Sequence, residues 1–190
     1  MPGWTFIRHG QSLANAQGWF AGQRDAPLTA LGHEQAGAAA AQVRGLSFDR
    51  ALCSDLSRAH HTAVRILDGR DVPLQVTPVL RERSCGSWEG RPIADLESEG
   101  VLPEFASWTS RPGSGESLRD VALRVCRLLS ELPARDSTLV VSHGALMRAV
   151  LGCVDARPTD EIGQWRPANC EIVQRDVSPE RWRELSDALA

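Results

Sequence analysis

The chain contains three short apolar runs that each stop abruptly at polar residues. They are Phe6-Ile7 before Arg8-His9-Gly10, Ala51-Leu52-Cys53 before Ser54-Asp55, and Leu139-Val140-Val141 before Ser142-His143-Gly144. Apolar runs of this length are typical of strands buried on both faces, and Gly and polar residues after them are typical of turns. We therefore predict three central strands that end near residues 8, 54 and 142.

Other segments carry apolar residues at intervals of three and four, which is the period of a helix. The predicted helices are 36–43 in a segment capped by Thr29, 56–66 capped by Ser54 or Asp55, a short helix at 93–98, 118–132 capped by Ser117, and 145 to about 151. Each cap residue carries a side-chain oxygen that can accept a hydrogen bond from the first turn of its helix.

Three more segments are predicted as strands. Pro73 and Pro78 restrict the segment 72–80 to an edge or irregular strand. The segments 169–174 and 182–185 are the other two. Strands and helices thus alternate along the chain, which favours an α/β fold. We predict a three-layer sandwich, with a mainly parallel central sheet and helices on both faces.

Length and composition narrow the class of protein. A chain of 190 residues with 42% hydrophobic residues, 24% charged residues and a net charge of -3 is typical of one soluble globular domain over residues 1–190. We expect no nucleic-acid partner, no membrane span and a cytoplasmic location, because the chain is not basic and has no long apolar run. The sequence is compatible with a monomer and with a homodimer.

The five scattered cysteines are predicted to be free thiols.

The segment 91–114 lacks regular periodicity and is rich in Gly and Pro. Long irregular loops in compact domains are usually lids or binding loops. We predict a short, lid-like insertion here, and Trp19, Phe20 and Trp108 are aromatic residues that could border the pocket beneath it.

The predicted strand ends collect residues suited to phosphoryl transfer. His9 and His143 each follow a strand, and the carboxyl ends of parallel strands are where α/β proteins bind ligands. Arg8 and Arg58 can each bind a tetrahedral oxyanion in bidentate fashion. A neutral imidazole can attack phosphorus while these groups neutralise the charge, and Glu82 can protonate the leaving alcohol.

An ordered set of motifs resembles the histidine phosphatase superfamily, which has a phosphoglycerate mutase-like fold. The motifs are Arg8-His9-Gly10-Gln11-Ser12-Leu13-Ala14-Asn15, Ser54-Asp55-Leu56-Ser57-Arg58-Ala59, Leu80-Arg81-Glu82, Trp88-Glu89-Gly90, Gly115-Glu116-Ser117 and Ser142-His143-Gly144. Arg-His-Gly alone is a weak signal, but blocks in this order over nearly the whole chain are a strong one.

The resemblance implies roles for individual residues. His9 would be the phosphorylated nucleophile, Glu82 the proton donor, and Arg8, Arg58 and His143 the lining of the phosphate pocket. The residues that would approach the phosphate or the rest of the substrate are Ser12, Asn15, Gly22, Gln23 and Gly144. No metal and no cofactor is implied. Cys85 stands where an aromatic residue is common in the family, so the substrate stays open.

The function predicted from the sequence is a metal-independent phosphomonoesterase that acts on a small phosphorylated metabolite. A cofactor-dependent phosphoglycerate mutase and a phosphate-binding regulatory module without turnover are the alternatives. Glycolytic mutases of the family carry a long, tyrosine-rich insertion after the glutamate motif, whereas this chain has only residues 91–114 there and no tyrosine. A short lid admits water to a phosphohistidine, which favours hydrolysis.

Overall fold

A five-stranded sheet lies at the centre of the structure, a computed structural model that describes residues 3–133, 135 and 137–190. The strands are β1 (Gly3–Arg8), β2 (Arg50–Ser54), β3 (Leu74–Thr77), β4 (Ser137–Ser142) and β5 (Ile172–Asp176). Their order is β3-β2-β4-β1-β5, and every neighbouring pair is parallel except β1 and β5. This topology confirms the predicted, mainly parallel sheet.

Helices of very different lengths connect the strands. They are α1 (Leu13–Gln17), α2 (Ala30–Gln42), α3 (Ser57–Leu67), α4 (Ile93–Ser98), α5 (Pro103–Ala106), α6 (Leu118–Glu131), α7 (Gly144–Val154), α8 (Thr159–Ile162) and α9 (Pro179–Leu189). Single 3₁₀ turns lie at Pro78–Leu80, Gly86–Trp88 and Pro112–Ser114. Within the described residues, every helix is too short or too polar to span a membrane.

The two faces of the sheet are buried in separate hydrophobic cores. Phe6, Leu52 and Val140 belong to the core that contains residues of α6, α7 and α9, whereas their neighbours Ile7 and Cys53 belong to the core with α2 and α3. Successive side chains of a strand point to opposite faces, so a strand covered on both sides must be apolar throughout. This arrangement confirms the three-layer α/β sandwich.

The prediction of a strand at 182–185 is wrong, because these residues lie in α9. Ser178 caps that helix by accepting a hydrogen bond from the Arg181 N–H, and Pro179 occupies its first turn. Trp182, Leu185 and Leu189 recur at helical spacing and are buried against α6. The cap-and-proline signal was present in the sequence, and it outweighs the short apolar pattern.

The predicted cap of α3 is also wrong. The helix begins at Ser57, and neither Ser54 nor Asp55 caps it. The carboxylate of Asp25 accepts hydrogen bonds from the Ser57 N–H at 2.9 Å and the Ser57 hydroxyl at 2.8 Å. Asp55 instead pairs with Arg81. The first turn of α3 is therefore capped from a distant loop, which no local pattern can reveal.

Candidate active site

Two histidines meet at the carboxyl edge of the sheet. His9 follows β1 and His143 follows β4, and these strands are parallel neighbours with Arg8 opposite Ser142. The His9 N–H donates to the Ser142 carbonyl at 2.9 Å. The ring centroids lie 5.1 Å apart at an interplanar angle of 62°, and both rings are buried. The fold thus brings together the two strand-end histidines found in the sequence.

His9 is held as a neutral imidazole with one free lone pair. Its Nδ1 lies 2.6 Å from the Gly10 carbonyl, which can only accept, so Nδ1 carries the proton. Burial is the main cause that lowers the pKa of His9 well below 6.5, and the charges of Arg58 and Arg8 lower it further. Nε2 is left unprotonated, which is the state a nucleophile requires.

The turn after β1 is fixed by a close approach between two glycines. A Cβ on Gly10 would lie 2.3 Å from the Gly32 carbonyl oxygen, and a Cβ on Gly32 would lie 2.1 Å from the Gln11 oxygen. The Gly10 N–H donates to the Thr62 hydroxyl, which in turn donates to the Arg58 carbonyl. The loop that carries His9 is therefore joined directly to α2 and α3.

Arg58 lies in the first turn of α3 and is almost fully buried. Its Nη1 donates to the Arg24 carbonyl at 3.0 Å, and its Nη2 donates to the Gly22 carbonyl at 2.8 Å. Desolvation by burial lowers its pKa. The guanidinium is thus positioned by backbone carbonyls, and none of the ion pairs among the described residues includes it.

Several buried polar nitrogens of the site have no partner within the described part of the chain. They are Nε of Arg8 and both ring nitrogens of His143. Arg8 is held from the other side, since its Nη1 donates to the Pro167 carbonyl at 2.6 Å. Burial is the first cause that lowers the pKa of His143, followed by the charge of Arg58. Buried polar groups are normally paired, so this cluster is suited to an oxyanion ligand.

Glu82 is positioned by the N-terminus of α7. Its Oε1 accepts hydrogen bonds from the N–H groups of Arg83 at 2.9 Å and Leu146 at 3.2 Å, and its Oε2 accepts one from Ala145 at 3.2 Å. Helix N-termini favour anionic groups because their first N–H groups are free to donate. The same turn of α7 places Gly144 against Arg8, whose Nε would be 3.4 Å from a Cβ on this glycine.

A cavity of about 350 Å³ opens onto these groups. The predicted site residues on its wall are Arg8, His9, Ser12, Asn15, Gly22, Arg58, Glu82 and Gly144. His143 is not on the wall, and its ring lies edge-on to that of His9 with the centroids 5.1 Å apart. Gln23 is also off the wall, because its amide donates to the Glu82 carbonyl and to the Glu116 carboxylate.

Asn15 has an amide group oriented by its own neighbours. Its Oδ1 accepts hydrogen bonds from the Ser12 N–H at 3.1 Å and from Nδ2 of Asn169 at 3.3 Å. Since the oxygen faces the protein, the NH₂ group of Asn15 is left to donate toward the cavity. Asn169 was missed as a site residue, because the sequence was interpreted as a strand over 169–174, whereas β5 begins only at Ile172 and Asn169 lies before it.

The far wall of the cavity is largely apolar. Trp19 and Phe20 line it as expected, but Trp108 packs against the core formed with α6, α7 and α9. The insertion contributes further apolar residues, and two arginines complete the wall: Ile93, Leu102, Phe105, Arg148 and Arg166. No pattern in the sequence marks Arg166, whereas Arg148 follows Gly144 by one helical turn and was detectable from that spacing.

The cavity wall is a poor match for a metal cation. Glu82 is the one carboxylate among the described residues that line it, against four arginines. The described residues contain no group of three or more metal-ligating side chains.

All five cysteines are free, as predicted, and burial raises the pKa of Cys85, which lies on the wall, to about 12. A thiol with this pKa is protonated and weakly nucleophilic.

The buried histidines predict how stability depends on pH. Because their folded pKa values lie below 6.5, the unfolded chain binds more protons than the folded chain in the window beneath that value. The free energy of unfolding should therefore rise with pH up to about 6.5, by at most about 1.4 kcal/mol per pH unit for each histidine, and level off above. Urea unfolding between pH 5 and 8 measures this slope.

The matched variants are His9→Asn and His33→Asn. His33 is exposed on α2, so its replacement should leave the slope unchanged. His9→Asn should make the slope shallower, whatever it does to absolute stability. A slope in His9→Asn that equals the native slope would show that His9 is not held neutral.

Comparison with known proteins gives consistent relatives. The model of the histidine phosphatase superfamily (branch 1) matches residues 4–187. Adenosylcobalamin/alpha-ribazole phosphatase of Escherichia coli (strain K12) is 36% identical over 168 residues, which cover 84% of this chain and 82% of that protein. The probable phosphoglycerate mutase GpmB of Yersinia enterocolitica is 32% identical over 188 residues, with coverages of 93% and 85%.

Solved structures show the same likeness. The mycobacterial glucosyl-3-phosphoglycerate phosphatase in complex with VO₃ has a TM-score of 0.85 and 29% identity, and the match covers 92% of each chain. The alpha-ribazole phosphatase from Shigella flexneri has a TM-score of 0.81 and 31% identity, with 93% of this chain and 91% of that chain covered.

Proposed function

The chain belongs to the histidine phosphatase superfamily (branch 1) and is a phosphoric monoester hydrolase, and we propose that it acts without a metal, through a phosphohistidine at His9, on a small phosphorylated metabolite. The observation that carries the proposal is the unprotonated Nε2 of His9 on a cavity wall that also carries the buried, unpartnered Nε–H of Arg8. A phosphoryl group can place its equatorial oxygens against the guanidinium groups of Arg8 and Arg58 while its phosphorus faces the imidazole of His9.

The first step transfers the phosphoryl group to the protein. Nε2 of His9 attacks phosphorus as the bond to the ester oxygen breaks, and protonated Glu82 gives its proton to that oxygen, so a neutral alcohol leaves. Arg8 and Arg58 neutralise the charge on the equatorial oxygens. Nδ1–H of His9 keeps its hydrogen bond to the Gly10 carbonyl, and this hydrogen bond stabilises the imidazolium of the phosphohistidine.

The second step returns the enzyme to its starting state. The Glu82 carboxylate takes a proton from water as the water oxygen attacks phosphorus, and the P–N bond breaks. Inorganic phosphate leaves, His9 regains its lone pair, and Glu82 is protonated again. The atoms and charges of both steps balance without a cation, which is consistent with a wall that carries four arginines and one carboxylate.

Water access decides between hydrolysis and phosphoryl return. The insertion covers the cavity with two short helices, α4 and α5, and Arg83 holds it by donating to the carbonyls of Phe105 and Ser110, both at 2.7 Å. This segment is short, so we infer that water reaches the phosphohistidine.

A phosphoglycerate mutase is the second candidate, because the GpmB relative matches 93% of this chain.

Hydrolysis of phenyl phosphate in the presence of EDTA tests the proposal. We expect steady release of phosphate, with the same rate with and without the chelator, because the groups that neutralise charge are arginines. Loss of activity in EDTA that Mg²⁺ or Mn²⁺ restores would contradict the metal-free mechanism. Tight binding of phosphate without turnover would instead indicate a phosphate-binding module.

3-Phosphoglycerate separates the phosphatase from the mutase. The phosphatase should release phosphate and form little 2-phosphoglycerate, whether or not 2,3-bisphosphoglycerate is added. Rapid interconversion of the two phosphoglycerates with little phosphate release would show that the lid excludes water and that the mutase candidate is right.

A further inference from the structure

Two arginines of the cavity wall have no part in the proposed phosphoryl transfer. Arg148 lies on α7, four residues after Gly144, so it is displaced from the phosphate end by one helical turn, roughly 6 Å. Arg166 follows α8 and stands exposed at the rim. The cavity therefore has a second cationic region beyond Arg8 and Arg58.

The two guanidinium groups lie side by side. Nη1 of Arg148 donates to the Gly163 carbonyl at 3.4 Å, and Nη1 of Arg166 donates to the same carbonyl oxygen. Arg148 is 2% exposed, its Nη2 reaches the Phe105 carbonyl at 3.3 Å, and its Nε has no partner among the described residues. Two like charges thus share one backbone acceptor.

No carboxylate within the described residues forms an ion pair with either arginine. Glu82 is close enough to act on Arg148, but both of its oxygens already accept backbone hydrogen bonds. Burial, followed by the charge of Arg166, lowers the pKa of Arg148 to about 9. A buried charge is normally paired, and an unpaired one is costly.

We propose that Arg148 and Arg166 bind a second anionic group, a carboxylate or a further phosphate, carried by the alcohol part of the substrate. The phosphoryl group itself is held by Arg8, Arg58 and His9, so an anion one helical turn away must belong to the group that leaves. The inference rests on the proposed function, since it names the substrate class of that same site.

The aromatic wall beside Arg148 defines the rest of the substrate. The Phe105 ring lies 4.5 Å from the Arg148 guanidinium carbon and 4.9 Å from the Phe20 ring centroid. A cavity with two anion sites and an apolar wall suits a short carbon chain or ring with an oxyanion at each end. The alcohol product would then leave with its own negative charge.

Matched pairs of substrates isolate the second anion. Glycerol 3-phosphate is 3-phosphoglycerate with the carboxylate replaced by a neutral hydroxymethyl group. 1,3-Propanediol bisphosphate and 1,3-propanediol monophosphate form the corresponding pair for a second phosphate. We expect the native enzyme to favour, by kcat/KM, the member with two anionic groups in at least one pair. The pair that responds identifies the type of anion.

The variants are Arg166→Met and Arg148→Met, with the exposed Arg44→Met as the control because Arg44 does not line the cavity. Each cavity variant should lose about 10- to 100-fold in kcat/KM on the favoured substrate, mainly through KM, because a charge-assisted hydrogen bond is removed. For the substrate of the same pair that lacks the second anion, and for phenyl phosphate, kcat/KM should change by about threefold or less. Arg166 is exposed, so its variant tests the proposal even where Arg148→Met fails to fold.

Equal losses on both members of each pair, or no preference in the native enzyme, would overturn the second anion site. Failure of the native enzyme to hydrolyse phenyl phosphate would instead overturn the proposed function. The two failures are therefore distinguishable within one set of assays.

Discussion

Replacement of His9 by alanine is expected to abolish hydrolysis of phenyl phosphate, with a loss in kcat of about 10⁴-fold or more. Among the described residues on the cavity wall, His9 is the side chain that offers an unprotonated nucleophile, because the Cys85 thiol has a pKa of about 12. Arg8 and Arg58 remain in the variant, but they neutralise charge and cannot accept the phosphoryl group.

Covalent labelling checks this expectation directly. Native enzyme quenched during turnover of ³²P-labelled substrate should carry a label that is labile in acid and stable in base, as expected for a phosphohistidine. His9→Ala should carry none and keep its native circular dichroism spectrum. His61→Ala, at an exposed position on α3, is the matched control and should label normally. Label retained in His9→Ala would place the phosphoryl group on another residue.

Glu82→Gln is expected to slow esters of alkyl alcohols by about 10²- to 10⁴-fold and phenyl phosphate by much less. An alkoxide is a poor leaving group and needs the proton, whereas phenoxide leaves with little help. The ratio of the two losses measures proton donation, because any effect on phosphate binding is common to both substrates.

The surroundings of Glu82 predict a small loss shared by both esters. A glutamine can keep one oxygen toward the N–H groups of Arg83 and Leu146, but its NH₂ group then faces the N–H of Ala145. Two donors that face each other should loosen the first turn of α7. Glu97→Gln, on the exposed face of α4, controls for the charge change. Equal losses on both esters would assign Glu82 to positioning alone.

Much of the site could be predicted because its signals are local in the sequence. His9 and His143 each follow an apolar run, and a parallel sheet brings such strand ends to one edge. Glu82 was suggested by its residue type and supported by the resemblance to a family, but its place at the start of α7 depends on contacts over 63 and 64 residues of chain. The order of the strands, which makes β1 and β4 neighbours, was not readable from the runs themselves.

The parts that could not be predicted depend on distant contacts. Asp25 caps α3 from a loop 32 residues away, and Asn169 orients Asn15 from a distance of 154 residues in the chain. Arg166 lies in a loop without periodicity, so nothing in its surroundings marks it as a cavity residue. In α9 the opposite holds, because Ser178 and Pro179 were local signals that a short apolar pattern obscured.

The site has two parts that can evolve at different rates. The first is the loop that carries His9, where the backbone at Gly10 packs closely against Gly32. Neither glycine can gain a Cβ unless the backbone opposite it moves, so single substitutions at these two positions disturb the loop that carries His9. The opposite half is built from side chains of the insertion and of the loop after α8, including Leu102, Phe105 and Arg166. Selection can exchange these residues one at a time while the loop that carries His9 keeps its geometry, so a new substrate is accessible by gradual steps.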